Sequence, residues 1–309
     1  MYQKMLVPLD GSELAEVVFP YAKELAGRLG VETILLHISS PALRDYAAKN
    51  QAYVEHAAEI IRREARKVHK DIGTGKAIKV TGELVVGYPA EEILRYADEK
   101  SVDLILMATH GRSGLKRWAV GSVADKVLRA ANFPVWLVRA NAPGAKPFDE
   151  WPKRTLIVAL DGSGLAESVL PHVEILAKQG DGELVEVVLL RICEPLTIPS
   201  YYTPELSDIP LNWGQYAQQE MARCKQVSAE YLTQIKKRLK DADIDAKSEV
   251  LVGKAADEII DYAHKNPYSL IIMATHGRSG LSRLVYGSVA ESVLIGVNSP
   301  IFMVKPTVK

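Results

Sequence analysis

Apolar residues along this chain fall into short continuous runs that alternate with longer stretches carrying apolar positions at helical spacing. The runs cover 4–9, 32–38, 78–86, 102–107 and 134–138, then 154–160, 183–192, 246–252, 270–273 and 300–304. Their length and β-branched content suit buried strands. The stretches between them read as amphipathic helices. Residues 13–29 carry Leu14, Val17, Val18, Tyr21, Leu25 and Leu29 on one face, and 42–68 carry Val54, Ala57, Ala58, Ile61, Ala65 and Val68. Further helices are expected over 90–99, 122–130, 221–239 and 255–264. Pro20 predicts a kink or a delayed start in the first helix, Gly30 its end, and Pro89 the first helical position of another. Strands alternating with helices predict an α/β fold: a doubly wound parallel sheet of five strands per half, with helices on both faces. Ligands of such sheets bind beyond the carboxyl ends of the strands. Asp10, Ile38 and the segment from Met107 to Gly111 all lie at such ends.

The pattern occurs twice. Met107-Ala108-Thr109-His110-Gly111-Arg112-Ser113-Gly114-Leu115 returns unchanged as Met273 to Leu281, and at the same spacing leads to Gly121-Ser122-Val123-Ala124 and to Gly287-Ser288-Val289-Ala290. Asp10-Gly11-Ser12 returns as Asp161-Gly162-Ser163, and Pro20 as Pro171. The chain is therefore a duplication, expected to divide into 1–141, a Pro/Gly-rich linker 142–152, and 153–309. Asp161 lies 151 positions after Asp10 but Gly277 lies 166 after Gly111, so copy two carries about fifteen extra residues, which fall at about 194–215. That segment holds Pro195, Pro199, Tyr201, Tyr202, Pro204, Pro210 and Trp213 and reads as a loop, either a lid or a packed excursion.

The repeated stretch reads as strand, glycine loop and helix start, with Ser122 as the expected N-cap. A glycine loop joined to a helix N-terminus offers free N–H groups and the positive dipole end, which suits phosphate; a tight turn with an ordinary cap is the structural alternative. Charge changes little: 38 basic residues balance 38 acidic ones, so neither nucleic acid nor an anionic membrane is an expected partner. Cys193 and Cys224 have no metal-ligand spacing and imply no disulfide framework, so a reducing cytoplasm is the expected setting. No apolar run is long enough to span a bilayer.

These residues together resemble a tandem universal stress protein. The family's ATP-binding members carry Gly-x-x-Gly, nine residues, then Gly-Ser or Gly-Thr. Here Gly111 precedes Gly121-Ser122 and Gly277 precedes Gly287-Ser288 at that spacing, while the first glycine of the pattern is Ala108 or Ala274. The resemblance implies the strand order 3-2-1-4-5 in each half, and ATP, with or without Mg²⁺, in each copy. It implies that Asp10 and Asp161 accept hydrogen bonds from the adenosine part, the alternative being an Asx turn. Pro8, Leu9, Ala159 and Leu160 would border them as strand one ends. Ile38 and Ile192 would meet adenine, or serve only the core. Gly111, Gly277, Met107, Ala108, Met273 and Ala274 would bring backbone near the phosphates, and Arg112 and Arg278 would neutralise charge. Ser122, Val123, Ala124, Ser288, Val289 and Ala290 would present hydroxyl and N–H groups from the helix start, with Gly121 and Gly287 before them. His110 and His276 would line the site rather than catalyse.

Copy two departs mildly at Ala159 for Pro8; because Arg191 replaces His37 beside the implied adenine contact and the insertion follows at once, copy two is expected to bind differently or not at all. Three readings stay open: an ATP-binding regulatory module, an ATP-using enzyme such as a slow ATPase, and a nucleotide-free scaffold. No Walker A loop is present. Strand five should end each sheet and needs cover; the resemblance implies that the two such edges pair within the chain, and that chains form homodimers.

Overall fold

The computed structural model describes residues 2–41, 46–72, 77–110, 120–140, 147–178, 185–196, 213–276 and 286–306. Ten strands form one sheet: β1 (Lys4–Leu9), β2 (Glu32–Ser39), β3 (Val80–Val86), β4 (Leu104–Ala108), β5 (Val135–Val138), β6 (Arg154–Ala159), β7 (Val185–Cys193), β8 (Ala246–Val252), β9 (Ser269–Ala274) and β10 (Ile301–Val304). Their spatial order is β3-β2-β1-β4-β5-β10-β9-β6-β7-β8, which is the 3-2-1-4-5 arrangement in each half, joined edge to edge. All pairings within a half are parallel, while β10 pairs antiparallel with β5, Ile301 opposite Leu137 and Met303 opposite Val135. The strand-five edges therefore cover each other inside one chain, which removes two of four exposed edges.

Nine α-helices are described: α1 (Glu13–Glu16), α2 (Phe19–Leu29), α3 (Ala47–Ile72), α4 (Pro89–Glu99), α5 (Ser122–Ala130), α6 (Leu170–Ala177), α7 (Trp213–Asp241), α8 (Ala255–Lys265) and α9 (Ser288–Gly296). Pro20 breaks the first helical stretch as expected, ending up in the opening turn of α2, and Pro171 sits likewise in α6. Gly30 ends α2 in the left-handed conformation, φ 60°, its N–H bonded to the Ala26 carbonyl.

Three expectations need correction. Ser122 is not the N-cap of α5: Gly121 is, with extended backbone, and Ser122 is the first helical residue and makes no side-chain cap bond. Gly287 and Ser288 repeat this in α9. Helix α7 starts at Trp213, eight residues earlier than the apolar periodicity suggests, so the loop assigned to copy two ends before Trp213. Cys193 and Cys224 are joined in a disulfide, with Cα atoms 6.0 Å apart, which the sequence reading did not foresee. The linker residues 141–146, the segment 197–212, and Gly111, Arg112, Gly277 and Arg278 lie outside the described residues.

Two apolar layers sandwich the sheet. One carries α1, α2, α3, α6 and α7 and runs continuously through both halves; the other carries α4, α5, α8 and α9. At the seam Trp136 and Phe302 are fully buried, with ring centroids 5.8 Å apart. Phe148 stacks on Tyr21 at 4.5 Å and lies 5.0 Å from Trp151. The seam also holds a buried ion pair. Glu24 of α2 receives Arg154 Nη2 from β6 at 2.7 Å and Arg28 Nε at 2.7 Å. Burial pushes the Arg154 guanidinium down, and the Glu24 carboxylate opposes that shift. Tyr2 and His172 hydrogen-bond across the halves at 2.6 Å.

Candidate nucleotide site

Each half has a cavity at the carboxyl ends of its strands: 320 Å³ in copy one and 470 Å³ in copy two. Both lie within the roughly 300–1,000 Å³ range of small-molecule sites.

The acidic corner forms first. β1 ends at Leu9, and Gly11 turns the chain with φ 79°. Asp10 Oδ1 accepts from Ser12 N at 3.0 Å and from Ser12 Oγ at 2.6 Å, and Ser12 Oγ accepts from Ala15 N at 3.3 Å to cap α1. Asp161 repeats the turn, accepting from Ser163 N at 2.8 Å, with Gly162 at φ 87°. The Asx turn and a place on the cavity wall are thus both true of each aspartate. Pro8, Leu9 and Ile38 border Asp10; Ala159, Leu160 and Ile192 border Asp161.

The opposite wall is the start of α5 or α9. Gly121 N donates to Thr109 O at 2.8 Å, which stitches the helix start to the end of β4; Gly287 N does the same to Thr275 O at 2.8 Å. A Cβ at Gly121 would lie 2.7 Å from the Thr109 carbonyl oxygen, so only glycine fits without a backbone shift, whereas at Gly287 the matching distance is 3.6 Å. Helical bonding resumes with Asp125 N to Gly121 O and Glu291 N to Gly287 O. The amides of Ser122, Val123 and Ala124, and of Ser288, Val289 and Ala290, are first-turn groups that a helix leaves without internal acceptors, and these residues line the cavities. Met107, Ala108 and His110 complete cavity one, and Met273, Ala274 and His276 complete cavity two. His110 Nδ1 is 3.0 Å from Thr109 Oγ1, and His276 Nδ1 is 3.0 Å from Thr275 Oγ1, which fixes both rings beside the helix start.

The structure adds residues that motif reading missed. Ala15, Pro89, Ile93 and Thr109 line cavity one. Ala166, Glu194, Cys224, Ala255, Ile259 and Thr275 line cavity two. Pro89 at the start of α4 was the available signal, because it places that helix at the carboxyl edge of β3. Glu194 Oε1 accepts from Ala255 N at 2.9 Å and so caps α8 beside cavity two.

The two helix starts touch through one cluster. Tyr286, just before Gly287, donates its hydroxyl to Asp125 Oδ1 in the first turn of α5. Arg129 Nε donates to both Asp125 oxygens at 3.0 and 2.9 Å, and its guanidinium lies 4.4 Å from the Tyr286 ring centroid. Burial raises the Asp125 carboxyl, but hydrogen bonds from Arg129 and Tyr286 outweigh it and hold the group below its ordinary range.

The repeated halves, their 3-2-1-4-5 order and the cradle geometry agree with the match of the universal stress protein family model to residues 1–139 and 153–305. The chain belongs to the universal stress protein family. Universal stress protein MJ0577 of Methanocaldococcus jannaschii is 33% identical over 159 residues, spanning 45% of this chain and 96% of that protein. Universal stress protein Mb2019 of Mycobacterium bovis matches end to end, 22% identical over 97% of this chain and 94% of its own length. A solved universal stress protein from Archaeoglobus fulgidus superposes with a TM-score of 0.60 at 20% identity, covering 98% of each chain, and so shares the fold.

Proposed function

We propose that this universal stress protein binds an adenine nucleotide, ATP with or without Mg²⁺, in each cavity and acts as a nucleotide-dependent regulatory module in a stress response rather than as an enzyme. The observation that carries the reading is the Gly121 cradle: a glycine with no room for a Cβ, followed by three first-turn amides facing a cavity with an aspartate at its far corner. The amides and the Ser122 hydroxyl would hold phosphate oxygens, Asp10 would accept from the sugar, and Ile38 with Ile93 would cover the base. Gly111 and Arg112, with Gly277 and Arg278, belong to the same proposal through the family pattern. Bound ATP would supply the phosphate charge that these first-turn groups meet; each charge-assisted contact at a helix N-terminus contributes about 1 kcal/mol at most in exposed settings. Among the described residues no group of three His, Cys, Asp or Glu side chains could cage a metal ion, so Mg²⁺ would arrive with the phosphates.

The proposed division of the chain is 1–141, 142–152 and 153–309, with the segment about 194–215 particular to copy two. We place the protein in the cytoplasm; among the described residues no helix is long and apolar enough to cross a membrane. A homodimer of chains would have to use a surface other than the strand-five edges, which pair internally.

The test is thermal unfolding with ATP and Mg²⁺. At a hundred Kd a ligand adds about 2.7 kcal/mol, which shifts Tm by roughly 2–4 °C per kcal/mol in domains of this size. No shift and no bound nucleotide would leave the scaffold reading; multiple-turnover phosphate release, lost in Gly121→Val, would leave the enzyme reading.

A further inference from the structure

The disulfide occupies a position that copy one fills with a hydrogen bond. Ser39 and Cys193 are equivalent: each ends its strand opposite Val86 or Val252, and each carbonyl accepts from the following glycine, Gly87 or Gly253. Aligning the buried Ile61 and Ala65 of α3 with the buried Ile235 and Leu239 of α7 sets Asn50 against Cys224 and Val54 against Ser228. In copy one Asn50 Nδ2 donates to Ser39 Oγ at 3.3 Å. In copy two the same two positions are covalently joined. A third position changed with them. Ser228, fully buried, places its hydroxyl 3.5 Å from Cys193 Sγ and 4.0 Å from Cys224 Sγ, where copy one has only a valine.

The bond also sits where it can act on the site. Cys224 lines cavity two, and Cys193 directly follows Ile192, which lines it as well. The disulfide thus pins α7 at its fourth turn, around Cys224, to the end of β7 across the wall where the base is proposed to lie. Cys193 itself has no exposed surface.

We propose that Cys193–Cys224 is a reversible thiol switch that sets nucleotide affinity in copy two alone; the affinity part rests on the nucleotide reading above. A dithiol reductant enters through the cavity, and its thiolate attacks Cys224 Sγ. The Cys193–Cys224 bond breaks, and Cys193 leaves as a thiolate that takes up one proton, with the Ser228 hydroxyl placed to hydrogen-bond it. The second thiol of the reductant resolves the mixed disulfide, freeing the Cys224 thiol and leaving the reductant oxidised. Two electrons pass from the dithiol to the protein disulfide. Once it is open, α7 is no longer pinned to β7, the wall is less preorganised, and binding weakens. Copy one, with a Ser39–Asn50 hydrogen bond in place of the disulfide, has no such response.

The experiment uses the full chain, oxidised and then treated with dithiothreitol under native conditions. Free thiols should rise from none to two per chain and fall again on reoxidation. Amide exchange in the turns of α7 around Cys224 should speed up, with α3 unchanged. In a Gly121→Val background, ATP affinity at copy two should fall roughly fivefold on reduction, the loss expected when a preorganised wall is freed. The double variant Cys193→Ser/Cys224→Asn, which installs the copy-one pair, should match the reduced protein and ignore dithiothreitol. Two free thiols with unchanged α7 exchange overturn the switch, as does a disulfide that native dithiothreitol cannot open. Faster α7 exchange with unchanged ATP affinity overturns the affinity part while the nucleotide reading stands. No ATP binding in either redox state or either copy overturns the nucleotide reading, and the switch is then decided by exchange alone.

Discussion

Cavity one and cavity two are built on the same two walls and differ in the third. Both have an Asx-turn aspartate and a glycine-capped helix start, and in both the end of strand four is stitched to that helix by the same 2.8 Å hydrogen bond. The base side has diverged. Copy one has Pro89 and a Ser39–Asn50 hydrogen bond; copy two has Ala255, Glu194, a disulfide, and a cavity of 470 rather than 320 Å³. Arg191 replaces His37 and lies over the Tyr231 ring, 4.8 Å from its centroid, with Nη2 2.8 Å from where a Cβ on Gly162 would be. Duplication has kept the proposed phosphate end and let the proposed base end vary, which is the division expected if the chain grips a common group in both halves and tunes the rest separately.

The frame that holds both sites in one sheet is the first thing to break. Glu24→Ala leaves Arg154 buried without its carboxylate and should cost about 3–5 kcal/mol, read as a loss in urea midpoint at unchanged m-value. Both sites should suffer together. The two cradles should then part company. Gly121→Val forces a side chain against the Thr109 carbonyl and should weaken copy-one binding on the order of a hundredfold, about 2.7 kcal/mol. Gly287→Val meets its carbonyl at a looser 3.6 Å and should cost copy two roughly tenfold or less. Site-resolved titration checks the inequality; equal losses would remove the distinction drawn from the two distances.

Acid should strain the seam. Burial pushes the His172 imidazole down from 6.5 to about 4. Its folded value lies below its unfolded one, so stability is complete above pH 6.5 and is lost as pH falls from 6.5 towards 4. The loss should be about 2–3 kcal/mol. Unfolding of His172→Phe across that window should lack this slope. The smallest effect concerns the corrected cap. Because Ser122 is the first helical residue and not the N-cap, Ser122→Ala should change stability by less than about 0.5 kcal/mol, well short of the roughly 1 kcal/mol typical of losing an N-cap. Its copy-one nucleotide affinity should still drop several-fold, on the order of the worth of one hydrogen bond to a charged group.

Much of this was legible in the chain. The duplicated nine residues and the Gly-Ser pairs located both helix starts, and the family resemblance implied the β5–β10 pairing, which covers a final strand that is costly to leave open. The cap shifted by one residue because glycine and serine are both good N-caps, and their order alone does not say which residue leaves the helix. The start of α7 was hidden by prolines and aromatics that read as continuous loop up to Trp213. The disulfide was invisible because Cys193 and Cys224 are 31 residues apart, and only the packing of α7 on β7 brings them together. Cys224 was missed for the same reason, and Glu194 because it reaches cavity two by capping α8 from the end of β7; neither belongs to a motif.

Equilibrium titration of the oxidised full chain with ATP and Mg²⁺, with stoichiometry counted per chain, tests the central claim most directly. Two nucleotides per chain, with one of the two sites weakened on the order of a hundredfold in Gly121→Val, is the predicted result. No bound nucleotide at saturating ATP, or two sites of unchanged affinity in Gly121→Val, would contradict it.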